Sequence, residues 1–239
     1  MKLPGSSTET RRLLLSGVKA ALPLVLGYIP VGMAFGVLAR QAGLSGLEAS
    51  ALSLLVYAGA SQFIAIDMLA AGAFIVPIVI TTLLVNLRHL LMSSAIAPHL
   101  GRLSSAGILL VSAELTDESF AVAMTNPETL RGRPLFFIGL QITAHAAWVG
   151  GTILGAIFGA MIDGAAYGIP FALPALFICL LVIQLKTSIH WIVMVTAGAS
   201  ALAFRALLPG NWYIILAATL ASALGYWLLS RGQAGEAAA

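Results

Sequence analysis

The sequence predicts an all-α polytopic membrane protein with seven or eight transmembrane helices. Three observations carry that class. Apolar residues make up 60% of the chain and charged residues 9%, against roughly 45–50% and about 25% in a soluble domain. The mean hydropathy of +1.00 leaves too few charges to cover a water-facing surface. The apolar residues come in continuous runs rich in Ala, Leu and Gly, not in the alternating segments of about ten residues that build a membrane β-barrel. At roughly 20 residues per helical span, the 239 residues hold seven or eight spans with short loops.

Residues 1–16 read as a cytoplasmic tail, polar and irregular over 1–10. Arg11, Arg12 and Lys19 precede an apolar stretch that continues to Ala39. That outruns the 7–15-residue apolar core of a cleaved leader, so it reads as span 1 (17–39). Pro30 lacks a backbone donor and its ring collides with the carbonyl four residues earlier, so a kink or interruption is expected near Tyr28–Gly32. Span 2 (47–71) carries Tyr57 through Gln62, and span 3 (74–97) carries Asn86, Leu87, Arg88 and His89 before Pro98. Span 4 (103–125) holds Glu114, Asp117 and Glu118, and a loop with Arg131 and Arg133 follows. Span 5 (135–162) is glycine-rich and contains Gln141, His145 and Trp148. A short span 6 (170–184), span 7 (188–208), the break Pro209-Gly210-Asn211 and span 8 complete a transmembrane domain of 17–230, with a flexible tail at 231–239. Merging spans 6 and 7 gives the seven-span count; Lys186 beside His190 argues against the merger.

Counted on eight spans, Lys2, Arg11, Arg12, Lys19, Arg131, Arg133, Lys186 and Arg231 share one side, against Arg40, Arg102 and Arg205 on the other. That excess puts both termini in the cytoplasm. It also accounts for the pI of 9.3, with no call for nucleic acid. A shift of 85 residues lays Phe35 on Phe120, Val37 on Val122 and Leu55 on Leu140, and puts Tyr28–Gly36 over Ala113–Ala121. It suggests a 3+3 inverted repeat, 17–98 on 103–186, an architecture common in secondary transporters.

Only nine residues are Asp or Glu, and three of them, Glu114, Asp117 and Glu118, fall within five positions. On an intact helix they are i, i+3 and i+4 neighbours, so the carboxylates share one face and repel. A charge at mid-bilayer costs at least about 2.5–3.5 kcal/mol on insertion scales, so such groups face a protein interior or an aqueous cavity. Arg88 is the natural counter-charge, but one cation cannot neutralise three acids. Either one carboxyl is protonated part of the time, or the helix is unwound at 115–119 and lines a polar cavity. Asp67, near the end of span 2, reads equally well as an interfacial residue. His89 and His145 read first as hydrogen-bonded packing residues. Gly59, Ala60, Gly150, Gly151 and Gly155 read as points of close helix approach.

There is no phosphate-binding loop, no His-Glu-x-x-His, no Gly-x-Ser-x-Gly and a single cysteine, Cys179. No cofactor, no metal and no enzymatic activity are therefore expected. Nor is there a channel filter motif or a regular arginine ladder.

The runs Tyr28-Ile-Pro-Val-Gly-Met-Ala-Phe-Gly36, Ala58-Gly-Ala-Ser-Gln-Phe63, Asn86-Leu-Arg-His89 and Leu115-Thr-Asp-Glu-Ser-Phe120 resemble the AzlC family, the large subunits of bacterial branched-chain amino acid exporters. The resemblance extends from about Val18 to Leu229. It implies a multi-pass secondary transporter of the inner membrane that exports Leu, Ile, Val and also Met. It further implies a small AzlD-type membrane subunit as partner and room for a higher oligomer. A zwitterion needs a cation or helix N-terminus for its carboxylate and an acid or carbonyls for its ammonium. The candidate substrate-binding set is Tyr28, Pro30, Gly32, Ser61, Gln62, Asn86, Arg88, Asp117 and Glu118, with the Tyr28–Gly32 backbone and Arg88 on the carboxylate. Glu114, Asp117, Glu118 and His145 are the proton-coupling candidates, and Phe35, Phe63, Phe120 and Met124 could hold an aliphatic side chain. The same features fit an ion or small-solute channel, or an accessory membrane subunit whose charges pair with a partner.

Overall fold

The computed structural model describes residues 7–100, 103–125, 134–159, 161, 168, 171, 174–175, 178, 181–182, 185–207 and 212–236. Every regular element among them is helical, and the chain divides into two units, Met1–Leu176 and Phe177–Ala239.

The first unit is built on a rigid pair. Helices α1 (Ser7–Ala20) and α2 (Leu22–Gln41) follow one another with only Ala21 between them. Pro23 has no N–H to give the Lys19 carbonyl, which explains the hitch there. Helix α1 begins inside the stretch expected to be irregular. The interruption expected near Tyr28–Gly32 is absent: α2 runs on through Pro30, which lies on an exposed face. Alongside lies α8 (Pro134–Phe158), running in the same direction, with Gly139 against Leu14, Trp148 against Gly32 and Gly159 against Val37. This contact is backbone on backbone. A Cβ at Gly32 would come 2.7 Å from the Trp148 carbonyl oxygen, and one at Gly151 would come 2.6 Å from that of Ile29. Small residues are what let two helices meet this closely.

Two broken helices enter this frame from opposite ends. Helix α3 (Gly46–Leu55) opens on a capping box: the Ser45 hydroxyl accepts from the Glu48 amide, and the Glu48 carboxylate accepts from the Ser45 amide. It stops at Val56-Tyr57-Ala58, and α4 (Gly59–Ala70) follows. Helix α4 does not continue α3. The Gln62 amide donates to the Leu52 carbonyl at 3.0 Å, whereas ten residues of straight helix would separate the two by about 15 Å. Instead α4 runs back along α2, with Tyr57 by Tyr28, Phe63 by Phe35, and Asp67 and Ala70 in a cleft with Leu38, Gln41 and Ala42. Helix α5 (Ile75–Ile96), extended by a 3-10 turn at Ala97–His99, then crosses to the other end. There α6 (Ser105–Ala113), capped by the Ser104 hydroxyl, climbs beside α8 to a second break at Glu114-Leu115-Thr116. Helix α7 (Asp117–Thr125) turns back, and its Ala123 joins Met92, Ile96, Leu100 and Phe137 in one buried cluster.

Spans 2 and 4 of the sequence reading are therefore re-entrant hairpins. Arms of 10, 12, 9 and 9 residues are half the length a crossing needs. Four helices among the described residues are long and apolar enough to cross: Leu22–Gln41, Ile75–His99, Leu135–Phe158 and Ser188–Leu207. The 85-residue register, which paired Tyr28–Gly36 with Ala113–Ala121, does not pair two breaks. What occurs twice is one long helix followed by one hairpin: α2 with α3–α4, and α5 with α6–α7. The first residues of the two breaks, Val56 and Glu114, lie 58 positions apart, and each hairpin opens on a serine cap.

In the second unit α9 (Ser188–Leu207) and α10 (Trp212–Glu236) pack along each other as an antiparallel pair, Gly225 meeting Val193. Helix α10 continues through most of the stretch expected to be a flexible tail. Span 6 (170–184) falls largely outside the described residues, and the loop arginines Arg131 and Arg133 and Cys179 lie wholly outside them.

Candidate functional site

Both hairpin tips end at the middle of α2 and α8, and breaking a helix there creates a debt of orphan carbonyls. A helix end leaves its last carbonyls without partners, and in a membrane no water replaces them. Side chains of α8 meet that need, and α4 adds to it. The Gln62 Nε2 is a second donor to the Leu52 carbonyl of α3, which already accepts from the Val56 amide at 2.8 Å, and the Gln62 Oε1 accepts from the Trp148 indole at 2.9 Å. Gln141 Nε2 donates to the Val111 carbonyl of α6 at 2.8 Å. His145 Nε2 donates to the Ser53 carbonyl of α3 at 3.2 Å. Ser53 and Thr152 join hydroxyls at 2.7 Å. Gln141, His145, Trp148 and Thr152 are spaced four, three and four apart, so one stripe of α8 holds both tips.

The second tip starts a new helix at Thr116. The Thr116 hydroxyl accepts from the Ser119 amide at 3.2 Å, and the Ser119 hydroxyl accepts from the Thr116 amide at 2.9 Å, a reciprocal N-cap. The three carboxylates consequently do not share a helical face. Glu114 ends α6, while Asp117 and Glu118 open α7, where the N-terminal dipole favours negative charge. Each acid meets a different helix. Asp117 accepts from Arg88 of α5 at 2.5 Å. Glu118 accepts from the Tyr28 hydroxyl of α2 at 2.5 Å, and that hydroxyl, having spent its one proton, accepts from Thr116 at 2.8 Å. Glu114 lies 2.8 Å from His145 Nδ1 of α8.

His145 joins the two hairpin tips: its Nε2 faces the Ser53 carbonyl, which can only accept, and its Nδ1 faces the Glu114 carboxylate. The Tyr57 ring lies over the His145 ring, centroids 4.0 Å apart and planes within 15°.

The structure brings Tyr28, Arg88, Glu114, Asp117, Glu118 and His145 into one network. Ser61 is buried beside them and donates to Asn86 at 2.5 Å, tying α4 to α5. Gln62 caps α3, as above. Pro30 and Gly32 do not join: Pro30 is exposed, and Gly32 lies under the α8 backbone. With α2 intact, the Tyr28–Gly32 amides are spent inside the helix. Phe35 is fully buried against Phe63 and Trp148 as filled core, whereas Phe63, also buried, lines the cleft with Leu38, Ile66 and Ala70. Thr116 and Ser119 were overlooked, although Thr-Asp-Glu-Ser is legible as a helix start. Thr152 has only its place four residues after Trp148 to mark it.

The family model for the AzlC protein matches residues 23–162, which cover α2 through α8 and both hairpins. The chain belongs to the AzlC family. It is 39% identical over 221 residues to an uncharacterized membrane protein of Archaeoglobus fulgidus, covering 88% of this chain and 93% of that one. It is 36% identical over 188 residues to the inner membrane protein YgaZ of Escherichia coli, covering 74% of each. The branched-chain amino acid transport protein AzlC of Bacillus subtilis is 28% identical over 196 residues, 81% of this chain and 76% of that protein. No solved structure matches. Like these relatives, this AzlC-family chain is a membrane protein.

Proposed function

We propose that the protein is a secondary transporter of the bacterial inner membrane, exporting the branched-chain amino acids Leu, Ile and Val, and also Met, in exchange for entering protons. A small AzlD-type subunit is its partner, and both termini face the cytoplasm. The observation that carries this reading is the meeting of two broken helices over three separately held carboxylates, one of which lies 2.8 Å from His145. Transporters place their sites at such breaks. The membrane transport named for the Bacillus relative supplies the class of cargo.

The Arg88–Asp117 pair is the reader of the zwitterion. Both side chains remain about a quarter exposed, 28% and 27%, so a ligand can insert between them. The substrate carboxylate takes Arg88 and its ammonium takes Asp117, exchanging one ion pair for two. The Glu114–His145 pair, at 19% and 14% exposure, is the proton carrier. Glu118, with Tyr28 and Thr116, fixes the start of α7.

The test is efflux of labelled leucine from preloaded membrane vesicles, with and without the small subunit, under an imposed pH gradient. Saturable efflux that responds to the gradient is expected. Asp117→Asn should abolish it, and Glu114→Gln should leave leucine counterflow while removing the response to the gradient. Full efflux in both variants would sink the site assignment, and non-saturating currents would favour a channel.

A further inference from the structure

Each hairpin has one arm fixed along α8 and one arm that returns, and the two returning arms are held by opposite chemistry. Helix α4 is tied down by buried neutral bonds: Ser61 to Asn86, and Gln62 to both Leu52 and Trp148, with Phe63 and Ile66 packed beneath. Helix α7 is tied at its N-terminus by carboxylates, Asp117 on Arg88 and Glu118 on Tyr28, with the neutral Tyr28–Thr116 bond at its hinge and Ala123 packed beneath. The arms they fold against, α3 and α6, are pinned to α8 by Ser53–Thr152 and by Gln141–Val111. Helices α2 and α8 cannot slide past one another without a backbone clash, because their contact leaves no room for even a Cβ.

From this we propose that α7, alone of the returning arms, is the moving gate of the transporter. It hinges at Glu114-Leu115-Thr116, and its latch is the pair of ion-assisted bonds to Arg88 and Tyr28. Neutral buried bonds break only by leaving unpaired groups in a dry interior. The Arg88–Asp117 bond can instead be traded for contacts with a zwitterion, so arrival of the cargo undoes one of the two latch bonds and leaves the arm on Glu118 alone. Helix α4 has no such exchangeable partner and stays in place. The move deepens the zwitterion-reading site proposed above and rests on it for the identity of the cargo, but not for the latch.

The test uses the full chain in native membranes, with Cys179→Ser as background and one added thiol at a time. Ala123→Cys reports on the packed face of α7 and Ile66→Cys on that of α4; both positions are 4% exposed. Labelling by N-ethylmaleimide is timed with and without leucine, and again after adding Asp117→Asn or Glu118→Gln. Loss of either latch bond, a hydrogen bond to a charged group, should raise the rate at position 123 by at least about tenfold and leave position 66 unchanged, whatever the cargo. Leucine should change the rate at 123 in the parent, whose latch is intact. If the latch variants respond and leucine does not, the cargo reading fails and the gate stands. A response at 66 alone, an equal rise at both positions, or no change at 123 in either latch variant overturns the gate.

Discussion

At Thr116 and Ser119 two hydroxyls and two amides satisfy one another, and that exchange starts a helix within the molecule's interior. Reading Glu114, Asp117 and Glu118 as one repelling face assumed an unbroken helix. The helix is interrupted, at 114–116 and not over 115–119, and has re-formed by Asp117. The counter-charge was legible, since an arginine and a nearby acid were the obvious pair and Arg88 meets Asp117. The partners of the other two acids were not, because nothing in the residues near Glu114 or Glu118 points to His145 or Tyr28, 31 and 90 positions away. Gln141 illustrates the cost of the breaks. Its amide is the partner of the buried Val111 carbonyl, so Gln141→Leu strands that carbonyl at about 1–3 kcal/mol. Thermal unfolding in detergent should fall by several degrees, about 2–4 °C for each kcal/mol at this size. Ile142→Leu on the exposed side of the same turn should leave it unchanged.

Among the elements, the α2–α8 seam separates glycines that the sequence shows as equivalent. Gly150 and Gly151 are neighbours in a glycine-rich run, and both read as points of close approach. Only the helical phase tells them apart. Gly151 and Gly155 face the α2 backbone, and a Cβ at Gly150 would meet nothing within 4 Å. Gly150→Ala should therefore stabilise the helix by about 1 kcal/mol, the difference in intrinsic propensity. Gly151→Ala should destabilise, because the Ile29 carbonyl is backbone and cannot swing aside. Thermal unfolding of the two variants should shift in opposite directions; shifts of the same sign would mean the seam gives way. Proline misled for a related reason. Pro30 marks where a helix could break, yet its exposed ring lets α2 pass, while the actual breaks carry no proline. They are set by what caps them from other helices, and local sequence does not record that.

For the whole molecule, helicity and membrane character followed from composition, but the number of crossings did not. An apolar run of about 25 residues has the same composition whether it traverses a bilayer or turns back halfway. The clue lay in the caps and in short polar interruptions: Ser45 and Ser104 each open an arm, and each tip falls 10 to 12 residues later, a length more typical of re-entrant segments than of spans. The hairpin topology puts the connection before α3 and the connection after α4 on one face of the membrane, whereas a spanning helix would put them on opposite faces. In a Cys179→Ser background, Leu44→Cys and Ala73→Cys should both react with a membrane-impermeant maleimide added outside intact cells. Neither should need inverted vesicles. Reaction of Leu44→Cys from outside and Ala73→Cys only from inside would restore the span and remove the first hairpin. Because the second hairpin is argued from the same kind of contact, that result would also take away the hinge on which α7 is proposed to move.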